Sequence, residues 1–319
     1  MVKYVCEICK KEFSQKKIYN THIILKQCIS DTKTQTINGE KNICGEGIDK
    51  FYTIPQCSKK CIDKVCELYD IKQWDLIVEP SAGNGSFLNQ IPSDNVIGID
   101  ILPEQKNIIK LNFFDYLPPI DKINIMVIGN PPFGRVSSLA IKFFNHSAKW
   151  SNVIAFIIPK TFRKISVQNK LDNKFHLVYD EDITNKPCSF TPPMMVKCCF
   201  QIWKKKENKR EYIKLSTKHV HWDFLKLGPD DIQGQPTHPL NPDFVMRAYG
   251  GNIGEIKTEG MSILRPKSWH WFKSNIDTQL LINRFKQLNY SNSLNTARQN
   301  SMGRAELVAL YLNFLNTVL

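Results

Sequence analysis

The stretch "DLIVEPSAGNGSF", Asp75 to Phe87, decides how the chain folds. After Asp75, residues Leu76 to Val78 form a short apolar run of the kind that makes a buried strand, and Glu79-Pro80 stops that run. Small residues follow, with Gly83 and Gly85 free to turn the backbone and bring it close to a ligand. A helix over Gly85–Gln90 would then offer free amide donors at its amino end. The loop lacks the full GxGxxG spacing and has no Lys-Ser/Thr, so a dinucleotide or triphosphate site fits it poorly.

Working outward, strand-like runs at Asp75–Val78, Val96–Ile99, Ile123–Ile128, Val153–Ile158 and Lys197–Trp203 alternate with helical patterns at Gln56–Asp70, Gly85–Gln90 and Val136–Trp150. That alternation predicts an α/β domain over residues 50–206, a mostly parallel sheet with helices on both faces. Residues 31–49 read as a polar linker behind a small module at 1–30. From residue 207 to 319 the alternation fades and Trp, His, Pro and Gly become frequent. This last third reads as a substrate-facing region that ends in a helix over Gly303–Leu319.

The second strand, in "VIGIDI" (Val96–Ile101), ends at Asp100, fifteen residues past Gly85. A carboxylate at that place can accept from two vicinal ribose hydroxyls. In "NFFDY" (Asn112–Tyr116), Asp115 precedes the third strand and suits an adenine amino group. A fourth strand then runs into "VIGNPPFG" (Val127–Gly134). The two prolines make a rigid turn at a strand's carboxyl end, where ligands of doubly wound sheets sit. The lone pair of an adenine amino group is delocalised into the ring. The Asn130 side-chain oxygen and the Pro131 carbonyl could bind both amino hydrogens and draw that nitrogen toward tetrahedral geometry. Pro132 stiffens the turn, and Phe133 offers a face to a base swung out of its stack.

These residues resemble the S-adenosylmethionine-dependent methyltransferases, and the NPPF tetrad resembles that of the adenine-N6 enzymes of DNA and RNA. The resemblance implies a Rossmann-like fold with S-adenosylmethionine held by Glu79, Pro80, Ser81, Gly83, Gly85, Asp100, Ile101, Asp115 and Asn130. "KFYTIP" (Lys50–Pro55) resembles the segment that closes over the cofactor's methionine end, adding Phe51, Tyr52 and Thr53. "SFTPPMMVKCCFQIW" (Ser189–Trp203) resembles a late family motif, which would stack Phe190 on the base opposite Phe133. The motif order matches the gamma arrangement of DNA enzymes and implies DNA ahead of RNA as substrate. Three other readings stay open: an enzyme of mRNA, including cap-adjacent adenosine; a protein glutamine methyltransferase with a similar Asn-Pro-Pro-aromatic turn; and a vestigial nucleic-acid-binding protein.

In the amino-terminal module, Cys6-x2-Cys9 is followed by twelve residues, His22, five residues and Cys28. Two thiolates on a knuckle, an imidazole and a further thiolate make a tetrahedral zinc set. Phe13 and Tyr19 would supply the small core that the metal staples. The pattern resembles C2H2 zinc fingers in the variant whose last ligand is Cys.

The formal net charge of +13 is spread along all 319 residues and points to a polyanionic partner such as nucleic acid. No leading apolar stretch or long apolar run is present, so a soluble, intracellular protein is expected, cytoplasmic or nuclear. The Lys-, Asn- and Ile-rich composition suggests an AT-rich genome, that of a large virus, a phage or a protist, and a viral origin would place the protein in a host cell. In a reducing compartment most of the ten cysteines are expected as core hydrophobes. Four cations are candidate nucleic-acid contacts: Lys160 and Arg163 in "AFIIPKTFRK", Arg247 in "FVMRAYGGNIGEI" and Lys273 in "RPKSWHWFK". In the last two segments Trp269 and Trp271 stand nearby for stacking.

Overall fold

A computed structural model describes residues 4–5, 12–13, 51–184 and 187–318. The chain divides into two compact units, Met1–Phe51 and Tyr52–Leu319. In the first, β1 (Tyr4–Val5) pairs antiparallel with β2 (Glu12–Phe13). The expected zinc ligands Cys6, Cys9, His22 and Cys28, and the linker at 31–49, lie outside the described residues. Among the described residues, no group of three or more His, Cys, Asp or Glu side chains could hold a metal ion. No described helix is long and apolar enough to cross a membrane.

The second unit begins with β3 (Tyr52–Thr53), α1 (Pro55–Leu68) and β4 (Leu76–Pro80). It continues with β5 (Val96–Asp100), β6 (Ile108–Lys110), β7 (Ile125–Gly129), α2 (Ser138–Ala148), β8 (Val153–Pro159) and a single turn, α3 (Ile165–Gln168). Next come β9 (Phe175–Ile183), β10 (Phe190–Thr191) and β11 (Cys198–Lys205). The central sheet has the order β6-β5-β4-β7-β8-β11-β9. All its strands run parallel except β11, which is antiparallel to both of its neighbours. Counted within the sheet the order is 3-2-1-4-5-7-6, a mixed Rossmann-like arrangement.

Period-two alternation splits the sheet into two buried faces. Leu76, Val78, Val127, Ile154, Phe156 and Cys199 join the core on which α2 lays Ala140, Phe143 and Phe144. Cys198, of opposite parity to Cys199, neighbours Cys57 of α1, whose buried stripe also includes Cys61, Ile62 and Val65. The buried cysteines thus behave as small apolar residues, and burial raises the Cys61, Cys198 and Cys199 thiols above their ordinary range.

Two expectations are corrected. The segment over Gly85–Gln90 is not a helix; only a 3-10 turn forms, at Leu88–Gln90. Strand β6 precedes Asp115, so that residue follows the third strand of the sheet, in a 3-10 turn at Phe113–Asp115. The last third, where the alternation fades, forms a second sheet of β12 (Trp222–Phe224), β13 (Phe244–Arg247), β14 (Ile256–Lys257) and β15 (Trp269–Ser274), in the order β12-β15-β13-β14. One face packs Trp222, Phe244, Met246 and Phe272 against α4 (Thr278–Lys286) and α5 (Arg304–Val318). The other gathers Val245, Trp269 and Trp271.

Candidate active site

The carboxyl ends of β5, β4, β7 and β8 stand side by side, and every cofactor and NPPF residue expected from sequence, apart from Phe51, Tyr52, Thr53 and Asp115, lies at or just beyond them. Asp100 ends β5, half-buried. One carboxylate oxygen accepts from the Gly83 amide at 2.9 Å and the other from the Leu102 amide at 2.7 Å. Each oxygen keeps a lone pair for a further donor. Asp100 therefore both pins the glycine loop and presents acceptors at its rim. Ile101, 48 % exposed, follows it as an apolar surface.

The loop is held in a shape only glycine takes easily. Gly83 has φ of +53°, and a Cβ there would come within 3.1 Å of the Tyr52 ring. Ser81 also takes a positive φ, of 57°. Tyr52 donates its hydroxyl to Glu104, whose own amide donates to the Gly83 carbonyl at 3.0 Å. Burial and Glu104 together push the Tyr52 phenol up to about 12. The Thr53 hydroxyl is buried with no hydrogen-bond partner. Phe51 is half-buried at the end of the first unit, and Asp115 is exposed. These features fit the nucleoside and amino-acid parts of S-adenosylmethionine: an acid with spare acceptors beside an exposed apolar residue, a glycine cradle, and an unused buried hydroxyl.

Two expected cofactor residues have another role. Glu79 is buried inside the fold rather than at its surface, and accepts from the Leu88 amide at 2.7 Å. The donors expected to face a ligand at the start of a helix are thus turned onto the protein's own acid. Burial raises the Glu79 carboxyl to about 8; the Leu88 and Phe87 amides oppose that rise, and Asp100 adds to it. Pro80 is also buried, paired across the ladder with Ile99.

Gly129 closes β7 with φ of +154°, and a Cβ there would sit 3.3 Å from the Glu79 side chain. Asn130 is half-buried and Pro131 buried, with Pro132 and Phe133 half-buried behind them. The Phe133 carbonyl accepts from the Leu139 and Ala140 amides at 3.1 and 3.2 Å, which ties the turn to the first turn of α2. Between them Gly134, Val136 and Ser137 all have positive φ. A non-glycine residue held there costs about 1–3 kcal/mol, so the tertiary structure imposes this geometry.

Segments far apart in sequence meet where β10 pairs with β3, placing Phe190 opposite Thr53. Phe190 is only 2 % exposed, enclosed by protein, and offers no open face to a base. Each of the four candidate nucleic-acid cations faces a carboxylate. Lys160 meets Asp182 at 2.5 Å. Arg163 meets Asp180 at 2.9 Å and Asp182 at 2.7 Å. Arg247 meets Glu255 at 3.3 Å, and Lys273 meets Asp243 at 2.6 Å. Trp271 is buried and donates to the Pro266 carbonyl. Sequence reasoning missed the acids of β9 because their strand was not recognised.

The strand order together with this edge defines an S-adenosylmethionine-dependent methyltransferase type of Rossmann-like fold. The chain is 25 % identical over 203 residues to Ribosomal RNA small subunit methyltransferase A of Hydrogenobaculum sp. (strain Y04AAS1), a match covering 58 % of this chain and 79 % of that one. Among solved structures, the 23S rRNA methyltransferase ErmE has a TM-score of 0.36 at 13 % identity, over 47 % of this chain and 69 % of its own. Magnesium protoporphyrin IX methyltransferase of Synechocystis PCC 6803 with bound SAM has 0.37 at 10 %, over 48 % and 79 %. Structural likenesses with TM-scores this low carry no argument, and the fold assignment rests on topology. No family model matches.

Proposed function

We propose that the chain is an S-adenosylmethionine-dependent methyltransferase that acts on the exocyclic amino group of adenine in nucleic acid, with RNA as the favoured substrate. The observation that carries the reading is the meeting of the Asp100–Gly83 cradle with the Asn130–Phe133 turn across adjoining strand ends. The ribosomal RNA methyltransferase relative moves the substrate from the DNA that motif order implied toward RNA.

In this reading Asp100 accepts from the ribose hydroxyls of the cofactor, Ile101 packs on its adenine and Asp115 accepts from the adenine amino group, while Gly83 and Gly85 let the loop approach. Bound there, S-adenosylmethionine supplies a methyl that passes to the amino nitrogen as its carbon–sulfur bond breaks, S-adenosylhomocysteine leaves, and one amino proton goes to water. The Asn130 side-chain oxygen and the Pro131 carbonyl accept from the amino hydrogens and favour the developing tetrahedral nitrogen. Phe133 packs against the base. The zinc finger at Cys6, Cys9, His22 and Cys28 belongs to the same proposal and is tested by the zinc content of the full chain against Cys6→Ser.

The test is transfer of labelled methyl to matched RNA, single-stranded DNA and duplex DNA, with product nucleosides identified by mass. N6-methyladenosine in the RNA pool is expected. N6-methyldeoxyadenosine alone would return the substrate to DNA. Cofactor binding with no labelled nucleic acid would overturn the reading in favour of a protein amide substrate.

A further inference from the structure

A second site stands on the carboxyl-terminal sheet, apart from the cofactor edge. A cavity of about 380 Å³ opens there, lined by Arg247, Lys257, Arg265, Trp269, Tyr249 and Gly250 among others. Its volume lies at the lower end of the range for small-ligand sites, enough for about one nucleotide. Three cations line it. Glu255 is shared between Arg247 at 3.3 Å and Lys257 at 3.6 Å, while Arg265 is exposed and makes no ion pair among the described residues.

Two of these cations, Arg247 and Lys257, are held over an aromatic ring. Arg247 lies 5.2 Å and Lys257 5.7 Å from the Trp269 ring centroid, so this indole serves as a platform for charge rather than for a base. The Arg247 Nε is buried with no hydrogen-bond partner, a desolvated donor that an incoming oxygen would satisfy. Tyr249, 48 % exposed, supplies an aromatic ring at the rim. Gly250 follows with φ of +96° and open space where a Cβ would stand, so a ligand can pass close to the backbone.

This wall is joined to the sheet edge that carries the cofactor site. Gly250 donates to the Asn300 carbonyl at 2.9 Å, and the Lys197 ammonium donates to the Asn300 side chain at 2.7 Å. Lys197 directly precedes β11, whose Cys198 is in register with Pro159 at the carboxyl end of β8.

We propose that this cavity binds one nucleotide of a single-stranded nucleic acid, its phosphate between Arg247, Lys257 and Arg265 and its base against Tyr249, at a distance from the adenine to be methylated. The choice of nucleic acid over another phosphate-bearing ligand rests on the methyltransferase reading above. Guanidinium groups suit phosphate oxygens, and stacking on an aromatic ring tolerates any base. The site therefore adds grip on the strand rather than sequence choice.

The test measures binding of a fluorescein-labelled single-stranded RNA oligomer to the full-length protein without cofactor, as salt is varied. Arg265→Ala and Tyr249→Ala are both exposed changes that leave the core intact. Each is expected to weaken binding about 5- to 10-fold. Arg265→Ala also lowers the slope of log affinity against log salt by about one contact, whereas Lys149→Ala, at the exposed residue just after α2, leaves affinity within about 2-fold. S-adenosylmethionine binding is unchanged in all three. Wild-type affinity in both pocket variants, or a loss equalled by Lys149→Ala, would overturn the site without touching the methyl-transfer reading. Methyl transfer that fails in the wild type while these variants still lose RNA affinity would sink the reading and leave the pocket standing.

Discussion

The cofactor edge of the seven-stranded sheet and the four-stranded sheet use carboxylates differently. At the edge of the seven-stranded sheet, carboxylates hold backbone: Asp100 takes the Gly83 and Leu102 amides, and Glu79 takes that of Leu88. In the four-stranded sheet carboxylates mainly hold cations, with Asp243 on Lys273 as well as the Ser274 amide, and Glu255 shared by Arg247 and Lys257. The first arrangement shapes a loop for a ligand. The second neutralises cations and leaves only a few to meet one. A positive residue count therefore says little about where a polyanion sits until the acids opposite each cation are known.

That contrast breaks first, if it breaks, at Glu79. Its carboxyl stands near 8 in the folded protein and near its ordinary value when unfolded, so the folded state holds the extra proton between those limits. Stability is then greatest below about pH 4.5 with respect to this group and is lost as pH rises through about 8, by at most about 1.4 kcal/mol per pH unit. Glu79→Gln should flatten that dependence in denaturant titrations across the window. An unchanged pH profile would mean that Glu79 is ionised in place and does not act as a buried neutral acceptor.

Asp100→Asn comes next. The amide keeps the shape but removes the charge and places donors where acceptors were. Calorimetric affinity for S-adenosylmethionine should fall about 10- to 100-fold, on the scale of hydrogen bonds to charged groups of about 1.5–3 kcal/mol. Full affinity would remove Asp100 from the cofactor site.

The smallest effect is expected at Lys273→Ala. Paired with Asp243 and half exposed, this lysine should change RNA affinity less than about 2-fold and stability by under about 1 kcal/mol. A large loss of RNA binding would show that its ion pair opens for a ligand.

The same contrast explains what the sequence made legible. Around the glycine loop and NPPF, backbone geometry demands particular residue types: Gly83, Gly85 and Gly129 have positive φ, and the prolines end strands that buried apolar runs had already marked. Strands β4, β5, β7, β8 and β11 were therefore readable to within a few residues. Strand β9 was not, because "FHLVYDEDI" at the sheet edge carries three consecutive acids that pair with Lys60, Lys160 and Arg163, and such a run resembles a solvated segment. β6, three residues long, gives too little pattern. In the last third, Trp, Phe and Arg are the types used both for packing and for contact, so composition alone could not separate buried Trp271 from exposed Tyr249. The helix expected over Gly85–Gln90 failed because Glu79, a long-range partner, takes the amide of Leu88 and leaves a single turn.

The most direct test of the central claim pairs two readouts on one variant, Asn130→Ala: methyl transfer to adenine in RNA and equilibrium binding of S-adenosylmethionine. Loss of a positioned acceptor for the reacting group should lower transfer at least about 100-fold while cofactor affinity stays within about 3-fold of wild type. Transfer at the wild-type rate with cofactor still bound would contradict the proposal that the NPPF turn holds the reacting amino group.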